Sequence, residues 1–187
     1  MSTIANGRFI VVVGPSGVGK DSVINAVLEK LPELRHVKRT ITRAPGLEGE
    51  DYHSVSETEF ERAKSNGEFC LNWQAHGLSY GIPADVLTNT QNGQHYIANL
   101  SRGVLQEAAN KFPEFVVIQL TASIEILAQR LALRGRECED VIANRLARST
   151  FPMPEGLNIH LVNNKGRLDD TVNVVVELLQ NKRSPGV

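Results

Sequence analysis

A lysine set directly behind closely spaced glycines is the clearest chemical instruction in this chain: Gly14-Pro15-Ser16-Gly17-Val18-Gly19-Lys20-Asp21-Ser22. The apolar run Phe9-Ile10-Val11-Val12-Val13 comes just before it and an amphipathic stretch just after. The segment therefore reads as strand, tight turn and helix start, the setting a phosphate-cradling P-loop requires. Gly14, Gly17 and Gly19 let the backbone turn its N–H groups inward as an anion nest. Lys20 reaches toward β- and γ-phosphates, and the helix that follows presents the positive end of its dipole. These residues imply binding of a nucleoside triphosphate.

Position 21 departs from the usual motif, which has Ser or Thr after the lysine to help hold Mg²⁺. Here it is Asp21, with Ser22 next. A carboxylate is also a good oxygen ligand for Mg²⁺, so Asp21 is the expected metal contact. A second chemical signal is the arginine cluster Arg130, Arg134, Arg136, Arg145 and Arg148. Arg130 and Arg134 share one helix face and Arg145 and Arg148 another. Two arginine-rich helices joined by Gly135 and an acidic turn read as a lid over about 130–150 that closes on phosphates.

These groups need a frame, and helix and strand patterns alternate along the chain to supply one. Residues 9–13, 94–99, 115–120 and 159–162 read as strands. Residues 19–31, 101–110, 123–134 and 167–181 read as helices. The alternation predicts an α/β fold, a parallel sheet covered by helices on both faces. An insertion over about 36–83 interrupts it with short strands at Thr40–Arg43, Asp51–His53 and Ser79–Gly81. Inside it, Ser56 and Glu59 form a capping box that starts a helix over about 56–66. At 187 residues the chain fits one domain, 1–187.

Composition narrows the function classes. A formal net charge of −1 argues against a broad nucleic-acid-binding face. No apolar run is long enough to span a membrane, and no signal peptide is evident. Cys70 and Cys138 give neither a disulfide framework nor a metal spacing and read as reduced thiols of a cytoplasmic protein. Asn164-Lys165-Gly166-Arg167 lacks the final Asp of the GTPase motif N-K-x-D and reads as a turn.

Several segments, in order and spacing, resemble the guanylate kinase family of nucleoside monophosphate kinases. They are the P-loop, Thr42-Arg43-Ala44-Pro45, Gly49-Glu50-Asp51-Tyr52, Val55-Ser56 to Glu59-Phe60, Gly77-Leu78-Ser79-Tyr80-Gly81, and Arg130 to Arg134-Gly135 with Arg145. The likeness runs from about Arg8 to Leu179. It implies a P-loop kinase with ATP as phosphoryl donor and Mg²⁺ as cofactor. It further implies that Arg43, Tyr52 and Tyr80 hold the acceptor phosphate and that Arg130, Arg134 and Arg145 hold the ATP phosphates. Asn163 falls where the family often contacts adenine, and it also reads as an ordinary turn residue. Tyr52 and Tyr80 also read as packing residues with a hydroxyl at the surface.

The departures are specific. Where the family reads guanine, this chain has Arg39, Leu71 and Ile82. Where it has an acidic D-x-D pair, this chain has Asn99-Leu100-Ser101-Arg102. Missing hydrogen-bond partners for a base cost ~1–3 kcal/mol each, enough to remove base selectivity. Added arginines favour a second phosphate instead. This pattern resembles a narrower group, the ribose 1,5-bisphosphate phosphokinases of phosphonate catabolism. So do Gly19-Lys20-Asp21-Ser22, Trp73 with Ala75 to Gly77, and Arg134-Gly135-Arg136-Glu137. The resemblance implies a small-molecule sugar bisphosphate as acceptor, with Arg39 and Arg102 among its contacts. A divergent guanylate kinase is the alternative. A non-catalytic binding module is disfavoured because Lys20 and the lid arginines are retained.

Overall fold

The computed structural model describes residues 6–44, 51–133 and 153–181. Nine strands occur among them: β1 (Phe9–Val13), β2 (Leu34–His36), β3 (Arg39–Ile41), β4 (Tyr52–Ser54), β5 (Phe69–Ala75), β6 (Leu78–Pro83), β7 (His95–Asn99), β8 (Phe115–Thr121) and β9 (Ile159–Asn163). The helices are α1 (Lys20–Lys30), α2 (Glu57–Ser65), α3 (Ala84–Gln91), α4 (Leu105–Lys111), α5 (Ile124–Leu133) and α6 (Leu168–Gln180). No helix of the described residues is long and apolar enough to cross a membrane.

The main sheet is parallel, in the order β2-β7-β1-β8-β9. β1 lies at its centre and is apolar at every position because both of its faces are covered. Phe9, Val11 and Val13 point into one core with Ala98, Val117, Leu105 and Phe112. Ile10 and Val12 point into the other, with Val23 and Ile24 of α1, Leu127 of α5 and Val175 of α6. Each fully buried side chain of this size contributes about 1.5–3 kcal/mol, so the strand anchors both layers.

A second, four-stranded sheet has the order β4-β3-β6-β5. β5 and β6 form an antiparallel hairpin whose rungs include Leu71 with Ile82 and Trp73 with Tyr80. α2 begins with the expected capping box: the Glu59 N–H donates to the Ser56 hydroxyl, and the Ser56 N–H donates back to the Glu59 carboxylate.

The expected parallel sheet with helices on both faces is present. The structure adds β2, β5 and α3, which the sequence pattern did not single out. The helix expected over 101–110 opens as a 3₁₀ turn, Arg102–Val104, before α4 takes over. Arg134, Arg136, Arg145 and Arg148 lie outside the described residues, as do Gly135, Cys138 and the Pro45–Glu50 segment.

Candidate active site

The glycine-rich loop leaves the C-terminal end of β1, flanked by β7 and β8, where open parallel sheets bind their ligands. Two of its glycines are required on steric grounds. A Cβ on Gly14 would sit 2.6 Å from the Leu120 carbonyl oxygen, and φ there is +154°. Gly19, the N-cap of α1, has φ +91°, and a Cβ on it would meet the Asn164 amide nitrogen at 2.9 Å. Lys20 opens α1, and its Nζ donates to the carbonyls of Gly14 at 3.1 Å and Pro15 at 3.2 Å. The ammonium thus lies folded across the mouth of the nest.

Val18 is the point at which the loop is held from below. Its carbonyl accepts from the Asn164 side-chain amide at 2.7 Å and from Arg130 Nη1 at 3.3 Å. Asn164 is only 3% exposed, and its Oδ1 accepts from the Thr171 hydroxyl of α6 at 2.8 Å. Its backbone N–H donates to Thr121 O. Asn164 lies in the expected turn between β9 and α6, and its buried amide ties β8, α6 and the loop together. Its partner lies 146 residues away, so no local signal could have found it. Asn163, at the end of β9, is exposed.

A cavity of about 890 Å³ opens from the loop toward the four-stranded sheet. Lys20, Arg39, Tyr80 and Arg102 all line it, so four of the expected contact residues converge. Arg39 is 9% exposed. Its Nη1 donates to Asn99 O at 3.1 Å, and its guanidinium lies 5.6 Å from the centre of the Tyr80 ring. The Asn99 side-chain amide donates in turn to Asp21 Oδ1 at 3.4 Å. Partial burial lowers the Arg102 pKa from its ordinary value.

Arg43 and Tyr52 meet each other instead. The Arg43 guanidinium sits 5.6 Å from the Tyr52 ring centre, and the Tyr52 hydroxyl donates to Ala44 O at 2.9 Å. Arg43 lines a separate cleft of about 480 Å³ with Thr42, Ser54, Ser56 and Glu59. Leu71 and Ile82 are both 0% exposed and pair across the hairpin inside one core. Two of the three positions where the resemblance puts guanine readers thus form one packed apolar rung.

A bound triphosphate suits this arrangement: inward-turning glycines, a lysine at the nest and a helix N-terminus converge on one spot. Asp21 supplies a hard carboxylate oxygen of the kind Mg²⁺ selects, directly beside Lys20.

Residues 6–182 match the sequence model of the guanylate kinase family. The chain is 45% identical over 181 residues to the ribose 1,5-bisphosphate phosphokinase PhnN of Ruegeria sp. strain TM1040, covering 96% of this chain and 95% of that protein. It is 44% identical over 183 residues to the bifunctional ribose 1,5-bisphosphokinase-thymidine phosphorylase of Cupriavidus pinatubonensis, of which it spans 30% of the length. Among solved structures, the guanylate kinase of Anaplasma phagocytophilum superposes with a TM-score of 0.70 at 24% identity, covering 94% of this chain and 86% of that one.

Proposed function

The chain belongs to the guanylate kinase family, and from that premise we propose that it transfers the γ-phosphoryl group of ATP to ribose 1,5-bisphosphate. The products are ADP and 5-phosphoribosyl 1-diphosphate. The observation that carries this reading is the composition of the 890 Å³ cavity. It joins Lys20 to two arginines, Arg39 and Arg102, while the positions that would read a base, Leu71 and Ile82, are sealed in the core. Relatives named for this activity match nearly the whole chain, which supports it.

In the reaction an oxygen of the sugar's 1-phosphate attacks the γ-phosphorus, and the bond from that phosphorus to the β–γ bridging oxygen breaks. The attacking oxygen is already ionised at neutral pH, so no strong general base is required. Catalysis is then alignment and charge neutralisation. Lys20 follows the charge on the transferring group. The family resemblance assigns the donor phosphates to Arg130, together with Arg134 and Arg145, which lie outside the described residues. The family resemblance assigns the 1-phosphate to Arg43, Tyr52 and Tyr80; Tyr80 lines this cavity, whereas Arg43 would have to reach it from the neighbouring cleft together with Tyr52, its ring partner. Arg39 and Arg102 take the 5-phosphate, which lies where a nucleotide would carry its base. Asn163 borders the adenine side. Asp21 would hold Mg²⁺, which when bound would supply positive charge against the donor's phosphates. A cytoplasmic setting, where both substrates and a reduced Cys70 would be found, fits this reading.

The test is kcat/KM for ribose 1,5-bisphosphate against GMP, with ATP as donor, on the unmodified protein. The bisphosphate is expected to win. Preference for GMP would make the chain a divergent guanylate kinase.

A further inference from the structure

One aromatic residue of the cavity wall, Trp73, has no part in the phosphate contacts proposed above. Trp73 of β5 faces Tyr80 of β6 as a cross-strand pair, with ring centroids 5.3 Å apart and planes only 7° from parallel. On β6, Tyr80 in turn lies against the Arg39 guanidinium of β3, 5.6 Å from the ring centre. Indole, phenol and guanidinium thus stack across three adjacent strands, and all three line the cavity. Leu71 and Trp73 stand two residues apart on β5 and share a face, as do Tyr80 and Ile82 on β6. The Leu71–Ile82 and Trp73–Tyr80 rungs therefore lie side by side on one face of the hairpin, and Trp73 packs against the core that holds Leu71 and Ile82.

We propose that Trp73 is a specificity-determining residue of the acceptor site, an inference that rests on the bisphosphate reading above. Its indole occupies the flat space that a nucleobase would need, so a planar acceptor is refused by volume as well as by missing hydrogen bonds. The same ring holds Tyr80 in place, and Tyr80 presents its electron-rich face to Arg39. Arg39 is fixed at its other end by the Asn99 carbonyl. The stack thus aims a cation at the second phosphate and excludes a base with one side chain.

Trp73 is the chain's one tryptophan, so its emission reports on this wall alone. Ribose 1,5-bisphosphate, added without ATP, is expected to change that emission saturably, and GMP at the same concentrations is not. Trp73→Phe, which keeps a ring for the stack, should stay within about threefold of the unmodified kcat/KM, whereas Trp73→Ala should lose about tenfold or more with the bisphosphate. Trp73→Ala should also raise the ratio of GMP to bisphosphate use. A merely structural tryptophan would lower the melting temperature and leave that ratio unmoved, and this result would overturn the proposal. So would bisphosphate turnover with no change in emission on binding. If the unmodified protein itself prefers GMP, the bisphosphate reading fails first; if it prefers the bisphosphate and Trp73→Ala keeps the same ratio, only the role of Trp73 fails.

Discussion

The side-chain amide of Asn164 donates to the main-chain carbonyl of Val18 across 2.7 Å of buried interior. That one bond turns the far side of the glycine loop into a fixed surface. With the Val18 carbonyl held away from the ligand, the N–H groups around it remain turned toward the nest. Thr171 holds the amide in the orientation that can donate, because its hydroxyl occupies the Asn164 oxygen.

Replacing Asn164 by Ala removes the shorter of the two hydrogen bonds to the Val18 carbonyl, leaving the Arg130 contact at 3.3 Å, and leaves the buried Thr171 hydroxyl short of a partner. The expected cost is about 1–3 kcal/mol in stability. Affinity for ATP should fall about tenfold, because the loop loses its backing. Thr171→Val should show the same pattern more weakly. Calorimetric titration with a non-hydrolysable ATP analogue, beside thermal melting, separates the effects: lowered stability with unchanged ATP affinity would deny the residue a role in positioning the loop.

Lys20→Ala should reduce kcat by about a hundredfold or more with an unchanged circular dichroism spectrum, because it removes a charge directed at the transferring group. Asp21→Asn should raise the Mg²⁺ concentration needed for half-maximal rate. Both are read from initial rates across a magnesium series. Identical magnesium curves for Asp21→Asn and the unmodified protein would leave Asp21 as a helix N-terminal charge only.

Two histidines predict how stability responds to pH. Burial lowers the pKa of His36, helped by the nearby Arg39 guanidinium and opposed by Asp51 and Asp21. Burial likewise lowers that of His95, whose Nδ1 accepts the Arg8 backbone N–H at 2.9 Å. Both groups hold their proton less well folded than unfolded. Below the ordinary value of 6.5 the unfolded chain therefore binds more protons, and stability falls as pH falls. Urea unfolding between about pH 8 and pH 5 should show the decline below neutrality, and His36→Gln with His95→Gln should flatten it. An unchanged slope in the double variant would place the dependence elsewhere.

Cys70 should be chemically quiet. It is buried, its thiol donates to Pro83 O, and burial pushes its pKa up to about 11, against the pull of Lys111. In a Cys138→Ser background, Ellman's reagent at pH 8 should react with the native protein only at the rate of opening, and immediately in denaturant. Fast native labelling would contradict the burial.

The sequence carried the loop, the central strands and the capping box, because each is a local pattern. Phe9–Val13 is legible as a doubly buried strand, and Ser56 with Glu59 as a helix start, without knowledge of any distant residue. β5 was harder: its register shifts between Phe69 and Leu71, so apolar and polar positions do not alternate cleanly. α3 runs Ala84–Gln91 and contains Thr88, Asn89 and Thr90, weak helix formers that hide its periodicity. Within the candidate site, Lys20 is legible from the glycine-loop motif, and Arg39 and Arg102 as charges out of place for a base-reading pocket. Asn164 and the stacking of Trp73 were not, since each depends on a partner supplied by another element.

The clasp on Val18 also orders events in time. The glycine loop is synthesised before Asn164 and Thr171, with 146 residues separating Val18 from Asn164. Until the growing polypeptide has passed Thr171, the loop lacks its clasp, and β1 waits for β7 and β8 to flank it. A nascent chain that has not yet reached Thr171 should therefore hold nucleotide more weakly than the finished fold, as the Asn164 variant should.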